Sequence, residues 1–246
     1  MMSFGRKVGL ALCAALPAVA SAQDSGNGFL FGTPVGSVTF HAGWAAPRAN
    51  SDLFSFTTNE LTLDRGDFSA PTIGGDLSFR VFRQTHLVMS VDYSAMKKRS
   101  EFRHFIDDED KPIEQTTSFR RAPLTLSVKQ YLTSPGRPIG KFAWIPSRAA
   151  VYVGAGGGAQ YYKFYQEGDF IDDKTTVVFS DAFNSDGWAP MALGFAGFDY
   201  TLSPRFALTT EGRYVWSHAD LSNDFANFHP IDLSGFATTV GLTIRF

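Results

Sequence analysis

Cysteine is almost missing from this chain. The single one among 246 residues is Cys13, inside an N-terminal apolar run. An acylated Cys13 is not expected, because Leu12 is bulky for the preceding position and the basic residues stand too close. Long hydrophobic stretches are missing as well. Residues 8–20 are apolar but too short to span a bilayer, and no other stretch reaches the roughly 18 uninterrupted apolar residues a membrane helix needs. Excess charge of one sign is also lacking. A formal net charge of −2 excludes the basic footprint of a nucleic-acid binder.

What the N-terminus does contain is an export signal. Arg6 and Lys7 precede the apolar run, and Ala20-Ser21-Ala22 places small residues where a signal peptidase cuts. Residues 1–22 therefore read as a cleaved signal peptide, residues 23–34 as a periplasmic lead-in and residues 35–246 as one domain. Without Cys13 the mature chain has no thiol for a disulfide or a thiolate metal site. No further domain is expected after residue 246.

Within that domain, apolar and polar residues alternate at period two, as in strands with one lipid-facing and one polar face. Val38, Phe40, Ala42 and Trp44 alternate with Ser37, Thr39, His41 and Gly43. The same pattern recurs at 73–81, 87–95, 122–129, 151–161, 206–216 and 236–246. A further strand over 188–202 is ambiguous. Asp199 and Thr201 put Phe198, Tyr200 and Leu202 outside, which leaves Leu193 and Phe195 inside unless a bulge near Gly194 or Gly197 flips the register.

This makes eight strands. Their connections alternate in length: 46–68, 100–118, 165–187 and 219–233 are long, 83–85 and 203–205 are very short, and 133–148 is intermediate. Outer-membrane barrels have short periplasmic turns and long external loops, whereas a Greek-key sandwich has no reason to show this order. Trp44, Trp188 and Trp216 all map to the external ends, where an aromatic girdle belongs. The expected fold is all-β, an eight-stranded antiparallel up-and-down transmembrane barrel with four long external loops. Ten strands would result if 53–63 or 175–180 paired as extra membrane strands, but these are expected to extend hairpins outside the bilayer.

Two stretches carry a family resemblance. Tyr152-Val153-Gly154-Ala155-Gly156-Gly157-Gly158 resembles the glycine-rich strand of small outer-membrane barrels of the OmpA/OmpW-like group, and residues 239–246 resemble their closing strand. The resemblance implies an outer-membrane location in a diderm, Gram-negative-type bacterium. It implies that the barrel-assembly machinery reads the terminal aromatic Phe246, and that lipid and lipopolysaccharide surround a monomer. It fixes no single activity.

The inward-facing parity collects Asp76, Arg80, Asp92, Lys129, Asp199, Glu211, Arg213 and Arg245, four acids and four bases. An eight-stranded barrel has an interior that side chains just fill, and charges there must be paired. A salt-bridged polar core is therefore expected, with a gated path for small solutes as the alternative. A soluble lipocalin-like barrel would need an apolar interior instead.

Catalytic signals are weak. Ser217, His218 and Asp220 could suggest a hydrolase acting on lipid A, but strand neighbours point to opposite faces. Gly154, Gly156 and Gly158 fail the GxGxxG spacing, because Ala159 stands where glycine is required. The acidic runs Asp107-Asp108-Glu109-Asp110 and Asp169, Asp172, Asp173 lack the Ca²⁺-loop pattern and read as solvated loops. No catalytic residue, metal or cofactor is expected. The leading expectation is a structural or surface-interaction protein, then a narrow channel, then an enzyme. Residues 134–147, with Trp144 among them, are long for a periplasmic turn and read as a cap on the barrel base or a docking site.

Overall fold

The computed structural model describes residues 28–106, 110–171 and 178–246. The signal segment lies outside these residues. Eight strands close into a ring: β1 (Gly36–Pro47), β2 (Ala70–Arg80), β3 (Thr85–Ile106), β4 (Pro112–Tyr131), β5 (Ala149–Ile171), β6 (Val178–Thr201), β7 (Phe206–Ala219) and β8 (Gly235–Arg245). Each pairs antiparallel with the next, and β8 returns to β1 with Arg245 opposite Ser37 and Gly235 opposite Pro47. Closure removes both sheet edges, so the wall strands satisfy their backbone donors and acceptors on both sides.

The parity inferred for β6 holds without a bulge. Its register to β5 and β7 runs unbroken, and Leu193 and Phe195 are buried while Phe198, Tyr200 and Leu202 are exposed. The outer face of the wall is mainly apolar, with Phe40, Ile73, Val91, Leu124, Val153 and Val240 all exposed. The inner face carries the buried polar residues Thr39, Ser90, Thr125, Thr209 and Thr243. An apolar outside and a polar inside is the reverse of a lipocalin, and it suits a wall immersed in hydrocarbon.

Three expectations need correction. Residues 100–118 and 165–187 are not loops, because β3–β4 and β5–β6 continue outward as two long hairpin arms. In the first arm, Lys97, Lys98, Arg99 and Glu101 put charge on the strand without alternation. Outside the bilayer neither face needs to be apolar, so the period-two signal fades although the backbone ladder persists. Val178, Phe179 and Ser180 begin β6 itself and form no extra strand, while residues 172–177 lie outside the described residues. The third correction concerns 53–63, which is neither strand nor hairpin. Asp52–Glu60 forms an α-helix, α1, followed by a 3₁₀ turn at Arg65–Phe68.

α1 turns inward, because Leu53 and Phe54 need a place to be buried. They find it in a cluster with Phe68, Phe119, Phe164 and Leu233, drawn from the first loop, both arms and the last loop. The Phe54 ring meets Phe68 at 4.8 Å, Phe119 at 5.6 Å and Phe164 at 5.9 Å, each edge to face. The mouth at the end of the long arms is thus stoppered by apolar packing.

At the opposite end, residues 133–148 form a hairpin of two short strands, Gly136–Ile139 and Ala143–Pro146, joined by Leu30–Phe31 into a separate three-stranded sheet. Trp144 is buried under it, and a Cβ on Gly136 would lie 2.2 Å from the Trp144 ring, so only glycine fits there.

Candidate functional site

The lumen gathers most of the inward charges in tiers. The middle tier centres on Arg213 of β7. Its guanidinium donates to Asp92 of β3 at 2.8 Å and to Glu211 at 2.8 and 3.1 Å, and stands 3.8 Å from Asp76 of β2. β3 and β7 are four places apart in a ring of eight, so this side chain bridges opposite walls.

His41 of β1 completes the cluster. Its Nε2 lies 2.6 Å from Asp92 and its Nδ1 3.4 Å from Asp76, leaving a carboxylate on each side of the ring. Gly74 makes the room: a Cβ there would sit 2.4 Å from Asp92 Oδ1 and 2.6 Å from His41 Nε2.

Tyrosines link this tier to the next. The Tyr152 hydroxyl donates to Glu211 at 3.0 Å, and the Tyr131 hydroxyl donates to Asp199 at 2.5 Å. Asp199 also accepts from Thr209 at 2.8 Å. The Lys129 ammonium sits 3.9 Å from the Tyr152 ring centroid and 5.3 Å from that of Tyr131. It is held over π faces, with no contact ion pair among the described residues. Below, Arg245 donates to the Pro204 carbonyl at 3.4 Å and the Thr201 hydroxyl at 3.1 Å, with its Cζ 5.6 Å from the Trp144 ring centroid. Arg80 lines the cavity at this base and makes no ion pair within 4.0 Å among the described residues.

The eight inward charges therefore divide. Asp76, Asp92, Glu211 and Arg213 meet directly, Lys129 and Asp199 join through tyrosines, and Arg80 and Arg245 stand apart. Five inner residues stand outside the charge set expected from the sequence: His41, Tyr152 and Gln160, which the alternation already placed on the polar face, and Arg121 and Tyr131. All five lie on the inner parity. Arg121 and Tyr131 fall just beyond the ends assigned to their strand, and the others are not Asp, Glu, Lys or Arg. Arg121 is buried in the upper lumen with one amino group unpartnered, beside an unpartnered Gln160 amide.

Trp44, Trp188 and Trp216 point outward and are 53%, 63% and 54% exposed. Trp188 leans on Tyr161 at 5.6 Å and Trp216 on Tyr214 at 4.8 Å. Phe246 is partly exposed at the base. Its N–H donates to the Gly36 carbonyl at 3.0 Å, and its carbonyl accepts from Val35 at 2.8 Å.

The Ser217 hydroxyl donates to the Pro190 carbonyl at 3.0 Å, while His218 faces Asp232 at 3.5 Å, so the two neighbours are not aligned with each other. Among the described residues, no group of three His, Cys, Asp or Glu is disposed to hold a metal ion. Asp107, Asp108, Glu109, Asp172 and Asp173 lie outside the described residues.

Outside the wall, α1 is latched to the last loop. The His229 N–H and ring Nδ1 contact the Asp52 carboxylate at 2.9 and 2.8 Å. Slight burial raises the Asp52 carboxyl, but the hydrogen bonds from His229 and Leu53 outweigh it and hold it below the usual carboxylate value.

No protein-family profile matches the chain, and no curated protein matches it in sequence. Solved structures do resemble it. OprG, an outer membrane protein of Pseudomonas aeruginosa, is 15% identical over 87% of this chain and 98% of that one, with a TM-score of 0.49. Neisserial surface protein A is 14% identical over 89% and 97%, with a TM-score of 0.41. The N-terminal barrel domain of P. aeruginosa OprF is 13% identical over 87% and 100%, with a TM-score of 0.38. The chain is similar to each of these three structures in fold alone.

Proposed function

We propose that this protein is an integral outer-membrane barrel of a diderm bacterium, exported by its signal segment. Its lumen is closed, and its role lies in the envelope structure or in what its external arms touch, not in bulk solute passage. The observation that carries this reading is the double obstruction. The Arg213 cluster spans the middle of the lumen, and α1 stoppers the external mouth. The apolar outer face supports immersion in lipid, with Trp44, Trp188 and Trp216 as the girdle on the lipopolysaccharide side. Phe246, ending the closing strand, is the element offered to the assembly machinery.

The test is single-channel recording on protein folded in a planar bilayer, with heat-modifiable gel mobility as proof of a folded barrel. Silence over hours supports the closed reading; steady conductance overturns it. A narrow channel is the second reading, and two cavities on either side of the Arg213 cluster favour it, one of about 50 Å³ above and one of about 680 Å³ below.

A further inference from the structure

The cavity at the base of the barrel differs in kind from the rest of the lumen. It is an open vestibule of about 680 Å³ between the lower wall and the 136–146 hairpin, a size within the usual range of small-molecule pockets of roughly 300–1,000 Å³. Four arginines line it, Arg80, Arg83, Arg137 and Arg245, with a single acidic residue, Asp199. Asp199 already accepts hydrogen bonds from Tyr131 and Thr209.

The contrast with the middle tier is informative. There one guanidinium lies within 4.0 Å of three carboxylates. At the base, none of the four arginines has a carboxylate within 4.0 Å among the described residues. Arg245 is only 7% exposed, and its bonding partners are a neutral carbonyl and a neutral hydroxyl. Arg245 is buried, Arg80 half-buried, and Arg83 and Arg137 exposed, so four cations face one carboxylate already engaged by Tyr131 and Thr209, an excess of positive charge that a multiply charged anion offsets. His86, which also lines the cavity, has a buried Nε2 with no hydrogen-bond partner. Arginine forks match phosphate and carboxylate oxygens in bidentate geometry, so convergent guanidiniums select oxyanions over neutral solutes.

We infer that this vestibule binds a small, soluble polyanion bearing phosphate or carboxylate groups, entering from the short-turn end of the barrel. The inference does not depend on whether the lumen conducts, since the site is complete below the Arg213 cluster.

The experiment is isothermal titration calorimetry on the full chain folded in zwitterionic detergent, with inorganic pyrophosphate and citrate as probes. Heat-modifiable mobility establishes folding independently for every variant. Binding is expected that weakens steeply with added salt. It should fall at least tenfold in the Arg83→Gln/Arg137→Gln double variant, whose changes lie in a turn and a hairpin outside the barrel wall, and further with Arg245→Gln added. A folded wild type that binds neither probe overturns the inference, as does an affinity the double variant leaves unchanged. Phosphate could also arrive as a lipid headgroup. Repeating the pyrophosphate titration in phosphatidylcholine vesicles with and without phosphatidylglycerol separates the two sources. An unchanged affinity supports a soluble occupant, and displacement by the anionic lipid overturns it.

Discussion

Arg213 Nη1 donates to Asp92 Oδ2 at 2.8 Å across a sequence separation of 121 residues. The bond joins strands on opposite sides of the barrel, so it reports closure of the whole ring and not a local contact. Arg213→Ala removes the only guanidinium that meets Asp92 and Glu211 among the described residues. Breaking a buried pair from one side typically costs about 3–5 kcal/mol. Urea unfolding in lipid vesicles should show that loss, and a cycle with Asp92→Asn should show strong coupling between the two positions. Unchanged unfolding in Arg213→Ala would mean that the guanidinium contributes nothing to the closed ring.

The external stopper makes a separate prediction. Phe54 is fully buried among three other phenylalanine rings. Phe54→Ala should weaken docking of α1 by about 3–5 kcal/mol, the usual cost of truncating a buried ring, without unfolding the wall. The measurement is trypsin cleavage at the exposed Arg65, compared with heat-modifiable mobility of the same sample. Faster cleavage with retained mobility is the expected pair of results.

The latch between α1 and the last loop is pH-dependent. Asp52 sits below its ordinary value of 3.8 in the folded protein, so its contribution is fully present above that value and is lost as pH falls through the lower folded value. Asp67 in the same loop is also lowered, held by the Asp64 N–H and by Lys98, and moves in the same direction. Amide-exchange protection at Leu53 and His229 should therefore hold from pH 6 down to about pH 4 and fall below it. Asp52→Asn should abolish that acid step at both amides.

Glycine on the inner wall sets how closely side chains approach. A Cβ on Gly154 would fall 2.1 Å from the Phe195 ring, and one on Gly74 would fall within the His41–Asp92 bond. Overpacking of this kind costs typically about 1–3 kcal/mol. Gly154→Ala should fall in that range in urea unfolding, whereas Gly66→Ala, where a Cβ meets nothing within 4 Å, should be near neutral.

The barrel was legible in the sequence, because lipid contact imposes a strict rule. Wherever a strand crosses hydrocarbon, every second side chain must be apolar, so β1, β2, β7, β8 and the inner parts of β3–β6 declare their faces residue by residue. Even the ambiguous parity of Leu193 and Phe195 followed from Asp199 and Thr201 on the same strand. The charged set on the inner face was legible for the same reason. Partner choice was not. That Arg213 meets Asp92 while Lys129 rests on tyrosine rings depends on which strands stand opposite in a closed ring, and on where Gly74 leaves space. The outward arms, α1 and the base vestibule were also beyond reach of the pattern. Outside the bilayer, water satisfies either face of a strand and the alternation signal vanishes. Only three-dimensional packing brings Phe54 to Phe119 and Phe164, or gathers Arg80, Arg83, Arg137 and Arg245 around one cavity.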